Sequence, residues 1–257
     1  MMRPKVIVYG EVSLDGRLTL APDVLLLFGD DRWSAVAGTS DVNDWLIATH
    51  RPQALLEGSY SFVPPDSIPK PLPPVVGDRA ALYQDFLPED IAQRPGHKGW
   101  FTVVDSGGRI RWYYTGEPGK EAPGSEGWHL LVLVTRRTPA EYLAYLRGEH
   151  VPYMVAGEQR VDLRQALEKL AAQLGVECVL STSPGKLGGA LLRAGLVDEI
   201  DVEFFPAVIG GTRTPTLFES PELRPDELPT RLQLLSAQVH CSGRVWLRYE
   251  VIREGEE

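Results

Sequence analysis

The sequence predicts an α/β fold: a mixed, mostly parallel sheet with helices on both faces and an antiparallel hairpin at its C-terminal end. Three observations carry that prediction. Strand-like and helix-like stretches alternate from Leu130 to Ile209, which implies parallel pairing through right-handed crossovers. Asp162–Leu174 repeats Leu163, Ala166, Leu167, Leu170 and Leu174 at helical spacing, an amphipathic helix. Leu232–Val239 and Arg244–Ile252 flank Ser242-Gly243, two strands joined by a tight turn.

The elements follow in order. Lys5–Val12 is rich in β-branched residues and runs into the polar turn Ser13-Leu14-Asp15-Gly16, so it reads as a buried strand and its loop. Asp30 to His50 is a weaker helical stretch, and Gln53–Glu57 a short strand closed by Gly58-Ser59. Pro64 to Pro74 holds six prolines in eleven residues and is expected to be an exposed loop. Trp100–Val104, Ile110–Tyr114 and His129–Thr135 read as strands, the first two separated by the turn Asp105-Ser106-Gly107-Gly108. Pro139–His150 reads as helix, with Thr138 and Glu141 as a capping box, and Val151–Ala156 as strand. Asp162 and Gln165 form a second such pair, and Gly175 ends that helix. Val176–Ser181 is strand, Pro184–Ala194 helix stopped by Gly195, and Val197–Ile209 strand again. No linker divides the chain, so residues 1–257 are expected to form one domain.

The totals exclude several classes. Apolar residues at 43% and charged residues at 24% are a globular balance, and no period of 20–50 residues recurs. A net charge of −9, with no basic-aromatic run, opposes nucleic acid. The longest apolar runs, Val24–Phe28 and Leu130–Val134, are far too short to span a bilayer, and the first strand is not a leader peptide. Cys178 and Cys241 sit in apolar stretches away from any ligand spacing, so structural thiols in the cytoplasm and no metal site are expected. The five histidines are scattered.

Chemistry points to the segment Ser181-Thr182-Ser183-Pro184-Gly185-Lys186-Leu187. There a buried strand turns into a helix that Ser183 can cap, with Pro184 at its first position. Gly185 permits close backbone approach, the helix start favours an anion, and Lys186 adds charge: a seat for a pyrophosphate. The alternative is a Ser-Pro helix start that only packs on the sheet. Arg136, at the end of its strand, is either a contact for the 2′-phosphate of NADP or a solvated surface charge. Asp15 is either a carboxylate facing substrate or an Asp-Gly turn, and Gly58-Ser59 either a cofactor contact or a strand-ending turn. The sequence motifs of serine hydrolases, zinc proteases, Walker loops and Rossmann folds are absent.

Ser13-Leu14-Asp15-Gly16 resembles the S-x-D-G of the riboflavin-pathway pyrimidine reductases, and Val103 to Ile110 their V-x-D-s-x-g-R-i. Leu187 to Glu199 (LGGALLRAGLVDE), Phe205 to Gly211 and Leu217-Phe218 are similar to that family's L-n-x-x-L-L-r-a-G-L-V-D-E, a-P-v-l-l-G-G and l-F. The resemblance implies a dihydrofolate reductase-like three-layer fold, a homodimer, and NADPH as hydride donor to the ribosylamino carbon of 5-amino-6-(5-phosphoribosylamino)uracil. It implies Ser13, Ser181, Thr182, Ser183, Gly185, Lys186 and Leu187 at the cofactor, Gly58, Ser59 and Arg136 toward its adenosine, and Asp15 as the catalytic-site carboxylate. The family's E-G-G-G stands here as Thr182-Ser183-Pro184-Gly185, and its D-x-P-x-L-x-x-R is replaced by Tyr60-Ser61 and the proline-rich loop. The zinc deaminase half, with H-x-E and P-C-x-x-C, is missing. Reduction of a pterin or other heterocycle, and nucleotide binding without catalysis, are the rival readings.

Overall fold

The structure is a computed structural model that describes residues 3–253, apart from 23, 25–29, 65–67, 117–118, 121, 123–124 and 241. Cys241, most of the apolar run from Val24 to Phe28, and part of the proline-rich loop therefore lie outside the described residues. The chain resolves into two compact units, Met1–Pro4 with Pro52–Glu177, and Lys5–Arg51 with Cys178–Glu257.

The first unit holds β2 (Ala54–Gly58), β3 (Gly99–Val104), β4 (Trp128–Val134) and β5 (Tyr153–Val155), all parallel in the order β5-β4-β3-β2. Its helices are α3 (Glu89–Ala92), α4 (Ala140–Gly148) and α5 (Leu163–Leu174). Val103, Val132 and Val134 point to one face, where Tyr142, Leu143 and Leu146 of α4 bury against them. The helical spacing read in α5 is its buried stripe, since Ala166, Leu167 and Leu170 are all enclosed. Asp162 Oδ1 caps α5 through the Gln165 N–H at 3.0 Å, but Gln165 turns to the Gly157 amide, so the box is only half formed.

Two expectations in this unit fail for the same reason: side chains take backbone groups that regular structure would have used. Ile110–Tyr114 is not a strand. The buried Asp105 carboxylate accepts the amides of Arg109 and Ile110, and the Trp112 amide donates to the Tyr145 hydroxyl at 2.8 Å. Thr138 does not cap α4. Its hydroxyl accepts the Thr135 amide at 2.9 Å and donates to the Ser106 carbonyl, and the helix opens at Pro139 without a side-chain cap. The described part of the proline-rich segment, Pro64 and Ile68 to Pro74, is neither helix nor strand, as expected.

The second unit holds β1 (Lys5–Ser13), β6 (Cys178–Ser181), β7 (Glu199–Phe205), β8 (Arg231–Val239) and β9 (Val245–Ile252), in the order β6-β1-β7-β9-β8. β6, β1 and β7 are parallel, while β9 and β8 form the antiparallel hairpin, turned at Gly243 with φ of +81°. The stretch from Asp30 to His50 is two helices, α1 (Asp31–Ala37) and α2 (Val42–His50), broken where Gly38 takes φ of +66°. They cover one sheet face, with Trp33 edge-on to Phe205 at 5.1 Å and Trp45 to Trp246 at 4.9 Å. The opposite face carries the segment after β6, including α6 (Gly189–Arg193). Gly10 of β1 lies so close to Pro184 and Leu217 that a Cβ there would meet both at 2.8 Å.

Asp85, in the loop before α3, joins β5 to α5 in the first unit. It accepts the Val155 amide at 2.8 Å, both oxygens meet Lys169 Nζ of α5 at 2.9 Å, and Gln173 adds a bond at 3.1 Å. Burial by itself would raise this carboxyl, but Lys169, the Val155 amide and Gln173 outweigh it and hold the group below the usual carboxylate range. Asp85→Ala should cost about 2 kcal/mol in urea unfolding at neutral pH. Because the folded value is the lower one, the wild-type advantage should be full above about pH 4 and fade as the pH falls through the folded value.

Candidate active site

The loop after β1 is organised by one carboxylate. Asp15 accepts the Ser13 hydroxyl at 2.6 Å, the Ile209 amide at 3.1 Å and the Gly210 amide at 2.7 Å, and Arg17 Nε stands 3.5 Å away. The Ser13 hydroxyl first, then those amides, hold the carboxyl well below the usual carboxylate range. Ser13 is fully buried, and its own oxygen accepts the Arg17 amide. Asp15 therefore ties the β1 loop to the loop after β7, a role that the two sequence readings of this residue had not included.

The second element is the turn after β6. Pro184–Gly188 is a widened helical turn in which the Gly188 amide reaches back five residues to the Ser183 carbonyl at 3.1 Å, leading into the short α6. This corrects two expectations. Ser183 makes no side-chain cap, and Gly185, at φ of −26° and ψ of −115°, is outside helical geometry. Regular helix begins only at Gly189, and five residues supply little macrodipole. Thr182, Ser183 and Gly185 are partly exposed, Lys186 is exposed, and Ser181 and Leu187 are buried. The Ser181 hydroxyl has no hydrogen-bond partner among the described residues.

The segment Pro215–Glu219 draws these two elements together. Leu217 donates its amide to the Gly16 carbonyl at 3.1 Å, Leu18 donates to Pro215 at 2.9 Å, and Glu219 donates to the Gly185 carbonyl at 3.1 Å. The loop Ser13–Leu18 and the turn Pro184–Gly188 thus rest on one strip of backbone at the carboxyl ends of β1 and β6. Ligands of parallel α/β sheets gather at such ends. The hydroxyls of Thr182 and Ser183, the glycine at 185 and the Lys186 cation are donors of the kind a pyrophosphate needs, and the unmet Ser181 hydroxyl lies beside them, so these residues fit a dinucleotide's phosphate bridge.

The first unit holds the other candidates, described by themselves. Gly58 ends β2, and Ser59 opens a single 3₁₀ turn, Ser59–Ser61, in which the Ser61 hydroxyl donates to the buried Glu57 at 2.9 Å. Arg136 follows β4 with a largely exposed side chain, 3.3 Å from the carboxylate of Glu158, an ion pair that solvent leaves weak. His97 and His129, scattered in the sequence, meet through their Nδ1 atoms at 2.8 Å at the amino end of β4, away from the carboxyl ends. No cluster of potential metal ligands occurs among the described residues.

Known proteins similar to this chain share one kind of chemistry. The family model of the RibD C-terminal domain matches residues 124–246. The chain is 26% identical, over 91% of both sequences, to the 2,5-diamino-6-ribosylamino-4(3H)-pyrimidinone 5′-phosphate reductase of Methanothermobacter thermautotrophicus. This chain is similar to the RibD-type pyrimidine reductases. Among solved structures it is similar to a pyrimidine reductase-like protein of Corynebacterium diphtheriae, with a TM-score of 0.62 and 18% identity over 98% of this chain and 93% of that one. The riboflavin biosynthesis reductase Rib7 of Saccharomyces cerevisiae gives a TM-score of 0.57 at 15% identity, over 98% and 91%. At such identities the structural matches speak for the fold, which is the dihydrofolate reductase-like one.

One set of residues went unread in the sequence. Glu199, Asp201 and Glu203 alternate along β7 and are all buried on the face beneath α1 and α2. Glu199 meets Lys5 at 2.8 Å and Arg248 at 2.5 Å. Asp201 accepts from Trp246 Nε1 at 3.0 Å and Arg248 Nε at 3.1 Å, and Glu203 pairs with the buried Arg244. The acid at every second position was the available signal; its partners come from β1, β9 and the turn before β9 and are invisible locally.

The Asp15 tie is open to test. Asp15→Asn should lose about 1–2 kcal/mol of stability, with faster hydrogen exchange at the Ile209 and Gly210 amides than elsewhere in the unit. Unchanged exchange at those two amides would remove Asp15 from this role.

Proposed function

We propose that this chain is an NADPH-dependent reductase of a phosphoribosylaminopyrimidine, working as one reductase domain over residues 1–257 in the cytoplasm. The observation that carries the reading is the similarity to a pyrimidinone 5′-phosphate reductase over 91% of both sequences, with the Asp15 loop and the Ser181–Leu187 turn seated on one backbone strip. Reduction requires a nicotinamide cofactor, which supplies the hydride when bound, here to the ribosylamino carbon of 5-amino-6-(5-phosphoribosylamino)uracil or of the diaminopyrimidinone that the relative's name gives.

The chain's own residues bind and orient. Thr182, Ser183, Gly185 and Lys186 take the pyrophosphate and ribose, with Ser181 and Leu187 shaping the turn from beneath. Ser13 and Asp15 hold the loop that positions the substrate or nicotinamide ring, so Asp15 acts through the loops of 13–17 and 207–210. In the first unit the reading gives Gly58, Ser59 and Arg136 to the adenosine end, with Arg136 exchanging Glu158 for the 2′-phosphate that distinguishes NADPH from NADH. Excluding water and fixing the reacting groups is the protein's contribution to such a transfer.

The reading includes a homodimer. β8 is a nine-residue edge strand in which Leu232, Leu234, Leu235 and Val239 are 41–79% exposed, and Arg231–Val239 contains no acid in a chain of net charge −9. A bare apolar edge is a hazard unless paired, and a second copy pairs it in a closed two-fold arrangement. Leu234→Asp should convert a dimer to a monomer in sedimentation; a monomeric wild type overturns this part.

NADPH should raise the melting temperature more than NADH, and NADPH should be oxidised when either pyrimidine phosphate is added. Lys186→Ala should weaken NADPH binding about 5- to 150-fold, the equivalent of about 1–3 kcal/mol. A shift with NADPH but no turnover of either compound would favour another heterocycle or a nucleotide-binding module. No shift with either nucleotide would remove the cofactor assignment.

A further inference from the structure

The face of β1, β7 and β9 beneath α1 and α2 carries more acid than base. Tyr9, Glu11, Asp201 and Glu203 share this side, because parallel register pairs Tyr9 with Asp201 and Glu11 with Glu203. The Tyr9 hydroxyl lies 2.7 Å from Glu11 Oε1 and 3.1 Å from Glu203 Oε2. A phenol has one proton and can donate to only one of them. Glu203 is the better partnered of the two, since Arg244 pairs with it and the Ser40 hydroxyl donates to it at 2.6 Å. Glu11 has no ion-pair partner among the described residues, so two carboxylates, only one of them paired with a cation, stand against a single phenol.

We propose that Glu11 is kept as a neutral carboxylic acid that donates to Tyr9, which donates in turn to Glu203, and that this one-proton relay is a pH-operated latch holding the α1–α2 cover on the sheet. The cover is fastened at the same point, where Arg244 donates to the Thr39 carbonyl and Ser40 to Glu203. Loss of the Glu11 proton would set a second carboxylate against the Tyr9–Glu203 bond, leaving Arg244 to balance two. The charged groups facing the relay are Glu203 and Asp201 from β7, Arg244 from the turn before β9, and Arg248 from β9. From the cover come Ser40 and, at the far end beside Glu199, His50. Burial first, then the Glu203 charge, pushes Glu11 up, while Tyr9 and Arg244 pull it down less; burial likewise pushes the Tyr9 phenol up, so it stays a donor. Nothing in the proposed reduction uses these groups.

The sign follows from the raised folded value. Unfolded Glu11 loses its proton near about pH 4.3, the folded one at higher pH, so folding takes up a proton between the two and stability falls as the pH rises through that window. One proton corresponds to a tenfold change in the folded-to-unfolded ratio per pH unit. In that window wild type should therefore lose stability about tenfold per unit more steeply than Glu11→Gln, whose amide mimics the protonated acid. Amides of Ser40 to Leu46 should lose exchange protection above it in wild type and keep it in Glu11→Gln. Should that variant fail to fold, a carbon-13 titration of the Glu11 carboxyl in the wild-type protein decides, with a protonated signal expected well above the ordinary carboxylate range. Parallel stability slopes, or a Glu11 carboxyl that ionises at ordinary acid pH, would overturn the latch.

Discussion

A single carboxylate turned back into its own protein is the constraint on which the candidate site depends. Asp15 collects one hydroxyl and two amides, and in doing so fixes where β1 ends, how the chain leaves β7 and where the strip Pro215–Glu219 must pass. Hydrogen bonds to an ionised acceptor are about twice as strong as neutral ones, so this is an economical way to hold two loops that no helix or sheet ladder supports. The turn after β6 inherits its place from that arrangement. Gly10 has no side chain, so Pro184 can lie on the strand, and Glu219 closes on Gly185 from the other side.

A different balance governs the opposite face. Three acids of β7 are removed from water there, a cost that only close partners offset. Lys5, Arg244 and Arg248 provide them, and the guanidinium of Arg248 also lies 4.7 Å from the centre of the Trp45 ring. The hairpin β8–β9 is thus more than an edge: β9 and the turn before it bring two of the three cations that make an acidic β7 tolerable. Asp201 remains the least compensated member, pushed up to about 7 by burial and then by Glu199.

Much of the fold was legible because its signals are local. The helical stripe of α5, the alternation of strands and helices and the Gly243 turn each depend on residues within a few positions of one another. Where local reading failed, a distant side chain had taken over. Ile110 is buried as a strand residue would be, yet Asp105 claims its amide; Thr138 has the right chemistry for a cap, yet Ser106 claims its hydroxyl. Ser183 stands before a proline as a cap should, but the widened turn around Gly185 moves the start of the helix past it.

By itself the sequence determined the α/β class, the order of nearly every element and the motifs that resemble the riboflavin-pathway pyrimidine reductases. Periodicity, turn chemistry and motif spacing are properties of neighbours along the chain. Tertiary structure alone decided that Asp15 faces the loop after β7, that Pro215–Glu219 joins the two halves of the candidate site, and that acids spaced by two along β7 meet cations from β1, β9 and the turn before β9. Those outcomes depend on which strand lies beside which. That is fixed by the packing of the whole sheet, so no segment carries it.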